Sequence, residues 1–560
     1  MDFVSSILAR NRGEYYEFWD FGHLFWRPIG WLAFRISSPF LGRFIGPDQR
    51  IQVTLILIIL SWVTGLASSL LLLALLRLYC TYGWTPQLVV TAFIFSMAEL
   101  DYSRTGSSYI PGLFLLILGM YLMAREAMHP SNNVGIQVGA ALALAGSVSL
   151  WFLYVLAVPA AIMLPFASGA PDRTRFRLSI GTLFYFCLSI AWIYLGVIIH
   201  LRLSSVASAL GWILASSHGI AIRGVSRAIL GWPRSFMNMG DAGRIMKRYL
   251  LHDPFNPVSR RDLLGLWPEL LKFGLFYMTL FSIIVTLGRS SRGRQGLTVG
   301  TLAMLPVLGF AIHWSGGDLE RYLPLYPAFF LMLSISLTDQ KALSLAKTIA
   351  WLFVLCVVFP NAVSLRSAAV QHFQTQAENR VIRLLPRLKP GSCIIVSHNL
   401  DDLMEFNRNF PFSSINRLDA LHIYGLLTPG DSDVTRWHES FASRALITWL
   451  AGGDMWISSR VLHRTPYPDW NWVEGDDNRV SWSDLESFFS HLQYGESLGG
   501  DDGFVLLLPS TENRKLLGVL KPKESILLPA SSQLLSVLPR GMLLSVAHEP
   551  ISVNSRFATF

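Results

Sequence analysis

The sequence predicts a polytopic α-helical membrane protein that carries a C-terminal soluble α/β domain, and three observations lead there. Hydrophobic residues make up 52% of the 560 and charged residues only 15%, with a mean hydropathy of +0.42, too apolar for a soluble chain of this length. Apolar runs approaching the roughly 20 residues that cross a hydrocarbon core recur between residues 51 and 364. Charge changes along the chain as well. Residues 1–365 hold 28 Lys+Arg against 16 Asp+Glu, a balance of +12, whereas residues 366–560 hold 18 against 21, a balance of −3. Two regions in two solvents account for this most simply. The chain is therefore divided into an external loop with interfacial helices and an acidic site (1–50), a multi-helix transmembrane domain (51–365) and an external soluble α/β domain (366–560).

About ten spans are read, at 51–77, 86–100, 108–124, 134–149, 150–167, 178–200, 269–288, 296–313, 321–338 and 346–364. The stretch 134–167 is too long for one straight helix and is split near Ser149, where its apolar run is weakest. Short basic loops mark the cytoplasmic side. Arg173/Arg175/Arg177 and Arg289/Arg292/Arg294 both fit that side under a single alternation of helices. Residues 1–50, the turn at Glu99–Ser107, the loop 201–268, the turn at His313–Glu320 and the tail then all lie outside. A bacterial inner membrane with its site and C-terminal domain on the outer face is the location expected. An external N-terminus with no preceding span and no secretory signal has nothing to carry it across, so either a helix is encoded upstream of Met1, the favoured expectation, or the short N-terminal region crosses unaided.

Cys80, Cys187, Cys356 and Cys393 are scattered singly, and no pair has metal or redox spacing. In the tail, 391–399, 420–427 and 503–510 read as buried strands, and 439–450 and 482–492 as helices. No glycine-rich phosphate fingerprint follows a strand, so no nucleotide is assigned. The last fifty residues are interrupted by Pro522, Pro529 and Pro539 and are left unassigned.

The chemistry-bearing residues gather in four external clusters. The first 50 residues carry Glu17, Asp20, His23 and Arg27 within YEFWDFGHLFWRPIGWLAF, a run too polar to span yet adjacent to a span. Ionisable residues so placed default to a functional hypothesis. The second cluster, ELDYSRTGSSY, holds Glu99, Asp101, Tyr102 and Arg104. The third, HWSGGDLERYLPLYP, holds Asp318, Glu320, Arg321 and Tyr322. The fourth is the loop 201–268, with nine basic residues from Arg202 to Arg261, including Arg223 and Arg227. A carboxylate can act as general base toward a hydroxyl, and a guanidinium can hold a phosphate bidentately as charge grows on it. Plainer accounts stand beside each. Glu17 and Asp20 could be solvated anchors, His23 a packing residue, Asp101–Arg104 and Glu320–Arg321 local ion pairs, and the basic loop a contact for anionic headgroups.

The RPIGWLAF run after an acidic segment, the acidic turn leading into SYIPGLFLLIL and the ERYLPLYP turn together resemble the GT-C superfamily of polyprenyl-phosphate-sugar-dependent glycosyltransferases. The likeness is to its protein O-mannosyltransferase-like and aminoarabinose-transferase-like members and covers about residues 14–340. The resemblance implies that Asp20 matches the first-loop acid, that Glu99 or Asp101 matches the second, and that Arg321 is a donor-phosphate contact. It also implies transfer of a hexosyl or pentosyl group, with inversion, from a polyprenyl-phosphate donor to an acceptor hydroxyl on the external face. Asp20 would be the base, with Glu17 as runner-up. Glu99, Asp101, Arg104, Arg223, Arg227, Arg321 and Tyr322 would bind substrate or donor. The chain departs from the family in lacking the helix that normally precedes the acid, and in offering two acids where one is expected. No cofactor and no metal ligand set is read. The partners expected are the lipid-linked donor, a glycan, lipid or protein acceptor and membrane lipids, with no nucleic acid. The rival readings are a transporter or flippase of a lipid-linked anion and a non-catalytic scaffold of the cell envelope.

Overall fold

The computed structural model describes residues 2–9, 18–46, 49–80, 83–131, 133–215, 224–239, 245–246, 249, 258–289, 291–314, 316–339, 342–370, 379–381, 383–389, 391–396, 419–422, 436–462, 482–499 and 503–519. Glu17, Arg223 and residues 520–560 lie outside that set. The described residues divide into two compact units, one drawn from residues 2–239 and 261–366, the other from residues 245–260 and 367–519.

The first unit is helical. In chain order it contains α1 (Asp2–Ala9), α2 (Trp26–Ile45), α3 (Gln49–Tyr79), α4 (Thr85–Ile94), α5 (Met97–Tyr102), α6 (Tyr109–Met128), α7 (Val134–Leu150), α8 (Val158–Met163), α9 (Asp172–His200), α10 (Val206–Ala215), α11 (Val225–Phe236), α12 (Trp267–Gly288), α13 (Ser291–His313), α14 (Tyr326–Thr338) and α15 (Ser344–Val370). Among the described residues six helices are long and apolar enough to cross a membrane: α3, α6, α9, α12, α13 and α15.

The other four segments read as spans fold as shorter or broken helices. The segment 86–100 becomes α4 and α5, interrupted at Phe95–Ser96; 134–149 becomes the 17-residue α7; 150–167 becomes 3-10 turns at Phe152–Ala157 and Leu164–Ala167 around α8; and 321–338 becomes a 3-10 turn, Leu319–Leu325, running into α14. Pro159, Pro165, Pro324 and Pro327 remove amide donors in two of these segments, 150–167 and 321–338. An interrupted backbone among apolar groups must be satisfied locally. Asn361 of α15 does this for α4, its Nδ2 donating to Phe95 O at 2.6 Å and to Phe236 O at 2.7 Å while its Oδ1 accepts from Asn238 N at 2.8 Å. At the end of α7, Ser149 O accepts from Phe25 N at 3.0 Å.

Helix α2 shows three faces at helical spacing. Trp26, Arg27, Gly30 and Phe34 are buried, Ile29, Leu32, Ile36, Phe40 and Phe44 are exposed, and Arg35 lies over the ring of Trp31. An exposed apolar stripe beside a polar one suits a helix lying in a bilayer interface.

The second unit holds β1 (Cys393–Val396), β2 (Asp419–His422), α16 (Arg436–Leu450), β3 (Met455–Ser458), α17 (Trp482–Ser490), β4 (Tyr494–Leu498), β5 (Phe504–Leu507) and α18 (Thr511–Val519). The sheet order is β2-β1-β3-β5-β4, with β1 parallel to β2 and β3, and β5 antiparallel to β3 and β4. Alternation along β1 sends Cys393 and Ile395 into a core with Trp437, Phe441 and Ala445 of α16, and Ile394 and Val396 into a second core with Val381 and Leu384. Strands β3 and β4 and helix α18 were not expected from sequence. β4 is a largely exposed edge whose YGESL has no apolar run to read.

Candidate active site at one end of the helical unit

The first-loop acid is buried, not solvated. Asp20 precedes the 3-10 turn Phe21–His23 and its Oδ1 accepts from Gly22 N at 3.3 Å, while its Oδ2 lies 3.2 Å from Arg27 Nη1. The two residues are 8% and 3% exposed. The segment is anchored to the second cluster. His23 Nδ1 lies 2.6 Å from Ser108 Oγ and 3.3 Å from Leu150 O, and Trp26 Nε1 donates to Gly106 O at 3.1 Å. Gly106 has φ +68°, and a Cβ there would come within 2.9 Å of Leu57 Cβ, so this turn requires glycine on both counts.

In the second cluster Glu99 is buried, with its Oε1 against α3 at Gly65, where a Cβ would approach it to 2.9 Å. Glu99 Oε2 has no hydrogen-bond partner among the described residues. Asp101 Oδ1 accepts from Arg104 Nη2 at 3.1 Å, so the local pair anticipated from the three-residue spacing does form. Burial outweighs the Arg104 and Arg234 charges and pushes the Asp101 acid up to about 7. The Arg104 side chain is half exposed.

In the third cluster the Tyr102 hydroxyl donates to Glu320 Oε2, tying α5 to the Leu319–Leu325 turn. Arg321 stands between two acids, with Nη2 3.8 Å from Asp318 Oδ2 and Nε 3.9 Å from Glu320 Oε1, and its guanidinium lies 5.9 Å from the ring centre of Phe310. Glu320 is fully buried; burial and the Asp318 charge push its acid up to about 7, against the opposing effects of Arg321 and Tyr102. Tyr322 is a brace. Its buried hydroxyl sits 2.6 Å from Gly316 O and 3.1 Å from Ala228 O, holding the turn to α11.

Helix α11 packs against both α5 and the Leu319–Leu325 turn, and Arg227 on it is buried. Arg234, also on α11, acts electrostatically on Asp101 and Tyr322. Tyr109, the first residue of α6, has its ring 5.8 Å from that of His23 and 5.0 Å from that of Tyr102, whose hydroxyl donates to Glu320. Three sequence clusters separated by up to 300 residues thus meet around one tyrosine.

Of the residues expected from sequence, Asp20, Glu99, Asp101, Arg104, Arg227, Arg321 and Tyr322 are described, and this part of the helical unit draws on all of them. Tyr109, Arg234 and Asn361 were not singled out. A lone asparagine inside an apolar helix was the available signal for Asn361. Tyr109 sits in SYIPGL but looked like any interfacial aromatic. Among the described residues no group of three His, Cys, Asp or Glu side chains is arranged to hold a metal ion.

No family model matches the sequence, and no curated protein matches it. Two solved structures are similar over most of the chain. The apo state of ArnT from Cupriavidus metallidurans shares 11% identity, with 90% of this chain and 92% of that chain covered and a TM-score of 0.36. ArnT from the same organism bound to undecaprenyl phosphate shares 9% identity, with 91% of this chain and 93% of that chain covered and a TM-score of 0.45.

Proposed function

We propose that this protein is a membrane glycosyltransferase that moves a sugar from a polyprenyl-phosphate donor to an acceptor hydroxyl on the external face. Asp20 takes the acceptor's proton as its oxygen attacks the anomeric carbon. The bond from that carbon to the phosphate oxygen breaks, and the electron pair leaves with the phosphate. A single displacement inverts the anomeric centre. Arg321 stabilises the departing phosphate, with Arg104, Arg223 and, on α11, Arg227 in support; Glu17 is the runner-up base.

The observation that carries this reading is that the segment of Asp20 and the turn of Arg321 converge on Tyr109: the rings of His23 and Tyr102 lie 5.8 and 5.0 Å from its ring, and Tyr102 donates to Glu320, the neighbour of Arg321. A base for the acceptor and a cation for the leaving group need that proximity. A donor delivered by the bilayer needs no nucleotide fingerprint.

The test is Asp20→Asn in purified, reconstituted protein supplied with lipid-phosphate-linked sugars. Asn keeps the acceptor for Gly22 N but removes the base, so transfer should fall on the order of 10²–10⁴-fold. Full transfer by Asp20→Asn with none by Glu17→Gln would exchange the two roles. Full transfer by both removes the catalytic assignment.

A further inference from the structure

Arg321 is the cation assigned above to the donor phosphate, yet two carboxylates flank it at 3.8 and 3.9 Å. Two negative groups around one positive group leave no net attraction for an anion. Neither contact is short enough for a hydrogen bond, and both Arg321 Nε and Glu320 Oε1 are buried without a hydrogen-bond partner among the described residues. The guanidinium is therefore held by charge alone on this side and keeps donor capacity for an incoming oxygen. Glu320 Oε2 is already engaged by the Tyr102 hydroxyl. Its Oε1 remains as the one place where a proton can be added without disturbing that bond.

We propose that Glu320 is a positioning residue for Arg321. Ionised, it holds the guanidinium in the empty site. On taking a proton from solvent at Oε1, it releases the guanidinium to the donor's phosphodiester, so that donor binding takes up one proton. This deepens the glycosyltransferase reading and rests on it.

Buried among apolar helices, Glu320 gives up its proton at higher pH than an ordinary glutamate, and Asp318 adds to that effect. The groups at this end of the elements packed against it are Asp318 and Arg321 on its own turn, Glu99, Asp101 and Tyr102 on α5, Tyr109 on α6, Arg227 and Arg234 on α11, Tyr326 on α14 and Tyr154 in the 3-10 turn Phe152–Ala157. From α13 the ionisable side chain at this end is His313, whose Nδ1 is turned back to Gly309 O. An anion arriving beside Glu320 favours its neutral form further. Affinity should therefore be greatest below the pH at which the empty site loses this proton, and fall above it.

The experiment is isothermal titration of the full-length protein in lipid nanodiscs with methyl farnesyl phosphate, a diester that carries one charge throughout the range. It is run between pH 5.5 and 8.5 in two buffers of different ionisation enthalpy. For the wild type we expect little proton uptake at the acid end of the range, uptake rising towards one proton once Glu320 is ionised in the empty site, and affinity that falls there by up to about tenfold per pH unit. Glu320→Gln should bind with no proton uptake and a flat pH profile. Tyr102→Phe removes a bond that favours the ionised acid, so the fall should move to higher pH. Arg321→Ala should lose at least tenfold in affinity at every pH.

A Glu320→Gln protein that keeps the wild-type slope, or a Tyr102→Phe profile that does not move, overturns the role of Glu320 and leaves the donor site intact. An Arg321→Ala protein that binds like wild type overturns the phosphate contact, and the proposal falls with it. A wild type that binds the diester at no pH overturns both.

Discussion

Helices α9 and α14 are both apolar, and they meet opposite surroundings. Of the 29 residues of α9, only Leu178, Ser179, Thr182, Phe186 and Val197 are buried, while Ile180, Phe184, Leu188, Trp192, Leu195 and Ile199 are exposed. Of the 13 residues of α14, eleven are buried, and its rings join an aromatic cluster in which Phe236 lies 4.6 Å from both Tyr326 and Phe329. The first helix spends its side chains on lipid and the second on protein. Lipid tails are as apolar as leucine, so the lipid face adds little to helix association, and packing and hydrogen bonds decide it. The turn that carries Glu320 and Arg321 runs straight into the packed helix. Glu320 and Arg321 are thus carried by a helix buried on nearly every side, whereas α9 turns most of its side chains outward.

That contrast can be broken at several points. The largest effect is expected at Phe330, fully buried in α14. Phe330→Ala should cost about 3–5 kcal/mol, read as a lowered thermal midpoint in detergent. A loss no greater than that of a lipid-facing substitution would show α14 to be loosely packed.

Asn361→Leu comes next. It keeps the apolar volume but strips the Phe95 and Phe236 carbonyls of their donor, at a cost of about 1–3 kcal/mol for each buried group left unsatisfied. Since those carbonyls close the ends of α4 and α11, proteolysis should begin at these helix ends. Cleavage confined to the long spans would contradict the assignment.

A smaller, pH-dependent effect is expected from Asp101. The folded chain keeps its proton up to about pH 7, whereas an unfolded chain releases it near 4, so between those values the folded state binds more protons. Its contribution to stability is complete below about pH 4 and is lost as pH rises through 7. Thermal midpoints at pH 4.5, 5.5, 6.5 and 7.5 should fall more steeply for wild type than for Asp101→Asn. Parallel curves would place the proton elsewhere.

The smallest change is expected on α9, where Phe184→Ala should stay within about 0.5 kcal/mol in detergent, because its ring faces outward. A loss approaching that of Phe330→Ala would mean that α9 packs against protein in solution.

Much of this was legible in residue order, and the limits have identifiable causes. Long apolar runs such as 51–77 and 178–200 could be read because a span needs only length and composition. The segment 321–338 looked the same and is broken, because Pro324 and Pro327 interrupt it and the surrounding protein, not lipid, tolerates the break. Strands β1, β2 and β5 were readable from their apolar runs. β3 and β4 acquire strand geometry from pairing with β5, which no local pattern encodes.

The sequence by itself determined that the chain is a multi-span protein with a differently composed tail, and that acids and arginines cluster at turns between apolar segments. Both follow from side-chain chemistry, which is local. Tertiary structure alone decided which of those charges meet. Asp20 with Arg27, Glu320 with Tyr102, and Arg321 between two carboxylates are matters of distance and burial. In a low-dielectric interior those quantities set whether a charged group is paired or proton-bound. They depend on contacts across hundreds of residues, and only the folded chain brings them together.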